Sequence, residues 1–483
     1  MDQKAGAQIS TRAFIQSALI LFVIILLAGV LTLLVPAGTY QRVLEGEREL
    51  IIPGSFELVD NPDYPIWRWF TAPVEVLWGP DAVIIITIIV FILMVGASFA
   101  ILDHSGILKA GIARIVTLFG GRKYLLLLVI SFALMSLGAF FGIFEEVVPL
   151  VPVMLALSYY LGWDALVGLG MSILATNMGF SAAITNPFTI GVAQRLAGLP
   201  LFSGSGLRVF IFLVVYIIFA IFLYRYAKRI ERNPEASLVY EEDQAERAKY
   251  ANLDMGALAT DNPKLARASL WFLGFVVLIV AVLVAGPFIP TISDFALPLV
   301  GLLFLLGGVG AGMIAGGERG SVRRALWEGL TGIAPGILLI LMAVSVKHII
   351  VEGGIMDTIL NTVATSFSQT SPFLAAILIY VLALVIEFFV ASGSAKAFLL
   401  MPILLPLADL IGVTRQLTVT AYAFGDGFSN LIYPTNPVLL ISLGLTVVSF
   451  PKWLRWTLPL WFWIILVTVV FLGIGVAIGY GPF

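Results

Sequence analysis

Cysteine is absent from the 483 residues, and histidine occurs only twice. Without cysteine there is no disulfide, no thiolate metal site and no cysteine nucleophile. Charge is scarce as well. Asp, Glu, Lys and Arg make up 12% of the chain, about half the share of a soluble domain, whereas 60% is hydrophobic. Lipid is therefore the expected main solvent. A net charge of −2 leaves no basic footprint for nucleic acid. A charge at mid-bilayer costs about 2.5–3.5 kcal/mol, so the placement of the few charges carries the information.

Apolar runs long enough to cross about 30 Å of hydrocarbon lie near 13–35, 82–103, 207–227, 268–288, 294–315, 331–351 and 456–478. The first is too long for a signal-peptide core and no small-residue cleavage site closes it, so it reads as a retained helix. Three further regions, 124–160, 165–197 and 372–449, are apolar but interrupted. The stretches 124–160 and 372–411 have the length of helical hairpins, and 165–197 and 415–449 read as single spans broken near the middle.

Basic clusters orient the chain. Lys109, Arg114, Arg122 and Lys123 precede the first hairpin, and Arg225, Lys228, Arg229 and Arg232 lie where the span 207–227 gives way to the polar stretch 228–266. Arg319, Arg323 and Arg324, then Lys452 and Arg455, complete a set that can be cytoplasmic all at once. The N-terminus is then expected in the cytoplasm and the C-terminus outside, in a multi-pass protein of a bacterial inner membrane. The polar stretch 228–266, with Glu241, Glu242, Asp243, Glu246, Arg247 and Lys249, suits a solvated interfacial helix or a loose linker and reads as a plain connector between parts 1–227 and 267–483.

The two parts repeat one another. Pro152 and Gly162 match Pro402 and Gly412 at an offset of 250, and Gly179-Phe180-Ser181 matches Gly427-Phe428-Ser429 at 248. Thr185-Asn186-Pro187 and Thr435-Asn436-Pro437 return to 250. Span 82–103 runs inward and its counterpart 331–351 outward, so the repeats are expected to be inverted. The fold class is then an all-α polytopic membrane protein of two inverted repeats, each with a re-entrant hairpin and a broken transmembrane helix. Interrupted segments at matching places in inverted repeats point to a midplane binding site, and hence to a secondary transporter.

Polar residues cluster where the interruptions fall. The hairpin tips carry Glu145 and Glu146 in the first half, and Ser392, Gly393, Ser394 and Lys396 in the second. Ionisable groups at membrane depth are costly and either serve function or pair with one another. Glu146 and Lys396 occupy matching positions, so one buried ion pair between the halves and a role in binding substrate are both expected of them. The breaks carry Asn177, Ser181, Thr185 and Asn186, then Asp426, Ser429, Asn430, Thr435 and Asn436. A broken helix frees carbonyls for a cation and starts a half-helix whose N-terminus attracts a carboxylate. Hard oxygen donors of this kind suit sodium. Asn186 and Asn436 are therefore assigned to substrate together with the tips. Asn177, Ser181, Thr185, Asp426, Ser429, Asn430 and Thr435 are assigned to a coupling ion. A proline kink repaired by Ser and Thr is the plainer alternative. Glu387 is a candidate partner for Lys396 or Lys347, and Trp453, Trp456, Trp461 and Trp463 read as interfacial aromatics.

The run from Glu145-Glu146 to Pro152, the run Ala175–Pro187 and the run Gly425–Pro437 resemble the YfcC-like branch of the anaerobic four-carbon dicarboxylate carrier family, and the likeness covers nearly the whole chain. That resemblance implies an elevator, in which a mobile transport domain moves beside a dimeric scaffold. Tips and broken helices then hold substrate and ions together. It implies a homodimer in the lipid bilayer, a small-molecule substrate, no organic cofactor and no enzymatic step. Dicarboxylate-type members carry Ser-Asn-Thr at both tips, whereas here one tip is acidic and the other has a lysine. The branch also holds exchangers of basic amino acids, and acidic groups suit such a cation. A basic amino acid of the arginine/ornithine type is thus the expected substrate, moved by exchange or by sodium or proton coupling. A four-carbon dicarboxylate is the alternative. An intramembrane enzyme is remote: Gly425-Asp426 offers part of an aspartyl-protease signature, but Ala423 stands at its first glycine and no partner aspartate follows.

Overall fold

The structure, a computed structural model, describes residues 11–481 apart from 46–47, 109, 112–113, 115–118, 120, 252–262, 286–288, 317–318 and 366–369. Lys109 of the first basic cluster and 252–262 of the connector lie outside the described residues.

Helix α1 (Thr11–Leu34) leads to two short antiparallel strand pairs, β1 (Gly38–Thr39) with β4 (Glu57–Leu58) and β2 (Arg42–Glu45) with β3 (Arg48–Ile51). Then come α2 (Trp67–Glu75), α3 (Ala82–His104), α4 (Lys123–Phe141), a 3-10 turn over Glu145–Leu150 and α5 (Val151–Tyr160). The first broken helix consists of α6 (Ala165–Leu169), a π-turn over Gly170–Leu174 and α7 (Ala175–Ala182), then a gap, a second π-turn over Pro187–Gly191 and α8 (Val192–Leu196). Next are α9 (Ser205–Arg232), α10 (Tyr240–Ala251), α11 (Pro263–Ala285), α12 (Pro290–Ile314), α13 (Arg319–Glu352) and α14 (Met356–Thr365). The second hairpin pairs α15 (Pro372–Glu387) with α16 (Gly393–Ile411). The second broken helix is α17 (Arg415–Ser429) followed by α18 (Pro437–Gly444), and α19 (Phe450–Ala477) ends the chain. Among the described residues, ten helices are long and apolar enough to cross a membrane.

The matching glycines of the repeat end matching helices. Gly162 and Gly412 have φ of +86° and +81°, a left-handed conformation that glycine adopts without a Cβ clash. Each is followed by the long closing bond of a glycine-stopped helix: Trp163 N donates to Ser158 O, and Val413 N donates to Ala408 O, both at 2.9 Å. One residue later Asp164 and Thr414 cap the next helix, accepting from Val167 N and Leu417 N respectively. The broken helices therefore start in the same way.

They run antiparallel. Gln194 Nε2 near the end of the first donates to Gln416 Oε1 at the start of the second, 3.0 Å away, and Arg415 Nη1 donates to Ala197 O at 2.9 Å. Midway, Gly427 lies so close to the first helix that a Cβ there would sit 2.5 Å from Ser181 Cα.

Packing divides the helices into two groups. Helices α1, α2, α3, α11, α12 and α13 pack chiefly on one another, α14 packs on β1 and α16, and the remainder gather around the broken helices. In the first group Ser98 donates to Phe304 O at 2.7 Å, and a Cβ at Gly329 would meet Gly96 O at 2.5 Å. Small residues at such crossings allow the close backbone approach that holds helices together in lipid. The groups touch where α18 packs on α13, and where the 3-10 turn meets α3 and α12.

Two expectations change here. The connector is partly docked rather than solvated throughout. Asp243 of α10 is fully buried and accepts from Tyr159 Oη at 2.7 Å and from Ala165 N at 2.8 Å. Tyr226 and Ser237 donate to Asp164 beside it. The cause is the free N–H group at the start of α6, which a polar helix can satisfy and an apolar one cannot. The tryptophans differ too. Trp453, Trp456 and Trp461 are buried and only Trp463 stays exposed, because α19 packs on α15, α17 and α9 along that side.

Candidate functional site

The second tip holds its charge inside. Glu387 ends α15, Lys396 lies in the first turn of α16, and Asp426 stands within α17. None is more than 1% exposed. Lys396 Nζ is bonded to Glu387 Oε2 and lies 2.7 Å from Asp426 Oδ1. Breaking such a buried cluster by removing one member costs about 3–5 kcal/mol, because an uncompensated charge is left behind. Each carboxylate keeps one buried oxygen, Glu387 Oε1 and Asp426 Oδ2, without a hydrogen-bond partner among the described residues. Those oxygens can accept from a further donor.

Gly393 brings three elements together. A Cβ at this position would lie 2.8 Å from Thr189 Cγ2 and 3.1 Å from Asp426 Oδ2. Thr189 belongs to the turn that follows the first break, and its Oγ1 is likewise buried and unpartnered. Tyr422, one turn before Asp426 on α17, donates to Gly393 O and pins the tip. The second tip and both broken helices thus converge on one point.

The first tip is built differently. Gly142 lets it approach the first break: a Cβ there would be 2.4 Å from Asn186 Oδ1. Glu145 and Glu146 are half-buried at the start of the 3-10 turn. Phe144 N donates to Glu146 Oε2 at 3.2 Å. Glu146 also lines a small cleft with Leu134, Ile143, Val280 and Phe304, between this tip and helices α11 and α12. The expected Glu146–Lys396 ion pair is therefore corrected. Lys396 takes Glu387 on its own hairpin and Asp426 on the helix packed against it. Lys347 pairs instead with Asp81 at 2.5 Å.

Both Asn-Pro asparagines cap half-helices. Asn186 Oδ1 accepts from Phe188 N and Thr189 N, and Asn436 Oδ1 accepts from Val438 N and Leu439 N. The amides that a bound carboxylate would use are thus already occupied. Their Nδ2 groups tie the gap, one to Phe180 O and the other to Asn430 Oδ1. Ser181 and Ser429 donate to carbonyls one turn back, Asn177 O and Gly425 O. Thr185 donates to Phe140 O at the end of α4. Asn177, with both side-chain polar atoms unpartnered, and Thr435 Oγ1 remain buried and open. At the second tip Ser392 is exposed and Ser394 half-buried.

The helix after each break repairs it. Arg208 of α9, 1% exposed, donates to Ile184 O at 3.1 Å and to Phe202 O at 3.2 Å. Trp453 of α19 donates from Nε1 to Leu431 O at 2.8 Å. Ala183 holds the first gap with φ of +38°, a conformation costly for a residue with a side chain. Thr189, Arg208 and Tyr422 escaped the sequence reading. Tyr422 alone offered a signal, one helical turn from Asp426.

A family profile described as DcuC, C4-dicarboxylate anaerobic carrier, matches residues 14–477. The chain is 33% identical over 474 residues to a protein of Escherichia coli (strain K12) named putative basic amino acid antiporter YfcC, covering 90% of this chain and 91% of that one. It is 26% identical to an uncharacterized protein of Haemophilus influenzae, over 86% of this chain and 79% of the other. Among solved structures it is similar to the YdaH transporter of Alcanivorax borkumensis, with 19% identity, 97% and 100% coverage and a TM-score of 0.41. The MtrF efflux pump of Neisseria gonorrhoeae gives 18% identity, 94% coverage of each chain and a TM-score of 0.42. Scores at that level do not assign a fold.

Proposed function

The chain belongs to the C4-dicarboxylate anaerobic carrier family, a family of membrane transporters, and from that premise we propose that it is a secondary active transporter of a basic amino acid. The buried cluster at the second tip carries this reading. Glu387 and Asp426 share one ammonium and keep unpartnered oxygens, and Glu145 and Glu146 add further carboxylates at the first tip. A guanidinium or ammonium supplies the donors these oxygens lack, whereas a dianion would meet repulsion and find the half-helix amides capped. The printed name of the Escherichia coli relative, a putative basic amino acid antiporter, supports the same choice.

Movement by an elevator is part of the proposal, supported by the two separately packed helix groups. So is the inverted repeat, supported by the antiparallel broken helices and their matched starts. A homodimer formed through the first group, an inner-membrane location with N-terminus inside and C-terminus outside, and coupling by exchange, proton or sodium complete it. Asn177 and Thr435, buried with open polar atoms, are the remaining ion ligands of choice.

The family description favours a second reading, a four-carbon dicarboxylate. Uptake into proteoliposomes of labelled arginine, ornithine and succinate distinguishes them, with and without ion gradients and with unlabelled substrate inside. Arginine or ornithine uptake driven by internal counter-substrate is expected. Uptake of succinate alone overturns the basic amino acid, and uptake of none of the three removes both.

A further inference from the structure

The buried cation at the second tip is part of the chain itself. We propose that Lys396 is a tethered cation standing, between Glu387 and Asp426, where a transporter would otherwise bind a metal cation such as sodium from solution. The proposal deepens the transport reading for its place in the cycle, but cation binding can be measured without any substrate.

Three observations carry it. First, the ammonium bridges carboxylates from two different elements, the end of α15 and the interior of α17, and all three side chains are out of contact with solvent. Second, without the ammonium Glu387 Oε2 and Asp426 Oδ1 would lose their common partner, and the other oxygen of each carboxylate has no hydrogen-bond partner among the described residues. Like charges that close in a low dielectric do not both stay ionised unless a cation joins them. A set of hard carboxylate oxygens suits sodium rather than a softer metal. Third, the matching position of the first half is Glu146, which lines an apolar cleft. The same position thus holds a counter-charge in the second half and a carboxylate in the first.

Lysine fits this task chemically. It is a compact charge with three donors on a flexible stem, and Glu387 Oε2 and Asp426 Oδ1 engage two of them. Its stem keeps it from leaving with the substrate. A substrate cation entering at Asp426 Oδ2 would then compete with a charge that stays in the site.

The test compares purified wild-type protein with Lys396→Gln in sodium and in potassium at equal ionic strength, reading thermal stability. The expected result is that any sodium-selective shift in the wild type is left unchanged by Asp426→Asn. Lys396→Gln should gain a rise of about 3 °C or more in sodium, as for a ligand that binds only the folded state, and the added change Asp426→Asn should abolish that gain. A folded Lys396→Gln protein with no sodium preference overturns the proposal. If Lys396→Gln is recovered only when prepared in sodium, the proposal is supported. If it is recovered in neither salt, the wild type decides: radioactive sodium binding that Asp426→Asn abolishes overturns the proposal, and its absence sustains it. None of these readings depends on the substrate, so a failed uptake panel and a failed cation test remain distinguishable.

Discussion

Asn186 and Asn436 show how one side chain can look like a ligand and serve as a cap. Each accepts two backbone N–H bonds from the half-helix it starts. Asn186→Ala is expected to lower stability by about 0.5–2 kcal/mol, and Asn186→Ser, which keeps an accepting oxygen at the cap without adding charge, should recover part of that in thermal unfolding. A substrate role would instead raise KM in both variants while leaving stability alone. Gly179 gives a sharper case, since a Cβ there would lie 1.7 Å from Met135 O. Gly179→Ala forces α4 and α7 apart and should cost about 1–3 kcal/mol, read as a loss of folded protein in detergent. The Asn-Pro pairs and the charged tips were legible in the sequence because their chemistry is local. Arg208 and Thr189 were not. Arg208 works on a carbonyl 24 residues earlier, and Thr189 matters only because Gly393, far along the chain, comes to rest beside it.

At the scale of elements, α10 joins the connector to the base of the first hairpin. Burial, then the nearby charge of Asp164, pushes the Asp243 carboxyl up to about 8. Arg247, which donates to Gly162 O, and Glu242, which pairs with Lys452 of α19, lie on the same helix. A carboxyl raised in this way favours the docked, protonated state. Its contribution is complete below the usual carboxylate range and is lost as pH rises through about 8. Amide exchange within α10 is therefore expected to be slowest in acid, near about pH 4, and to speed up, beyond its intrinsic base dependence, between about pH 4 and 8. Asp243→Asn should flatten that excess, and an unchanged profile would show that Asp243 does not control docking. The sequence marked 228–266 as polar but could not show this contact. A helix so rich in charge gives no apolar stripe to announce a docked face, and its partner is a backbone N–H exposed by the start of another helix.

For the whole molecule, the decisive arrangement is two helix groups meeting along few contacts, chiefly α18 on α13 and the first tip on α3 and α12. The chain has no cysteine, so introduced pairs can be read without background. Leu150→Cys with Val276→Cys places thiols on opposite sides of the cleft at the first tip. A short bifunctional thiol reagent should arrest uptake in this variant, and each single variant should be insensitive. Uptake that survives verified cross-linking would remove relative movement of the groups from the mechanism. The interruptions were readable from the spacing of Gly, Pro and Asn, since these residues act on the backbone wherever they stand. The division into groups was readable only in part, because every helix surface in such a chain is apolar and hydropathy does not tell lipid from protein. One buried contact offers a way to watch the second break directly. The Trp453 indole holds Leu431 O and lies tilted against Trp456, with ring centres 5.6 Å apart. Any change in that gap alters both the hydrogen bond and the ring coupling. The difference in near-ultraviolet circular dichroism between the native protein and Trp453→Phe would then report, without an added label, the opening of the helix as substrate binds.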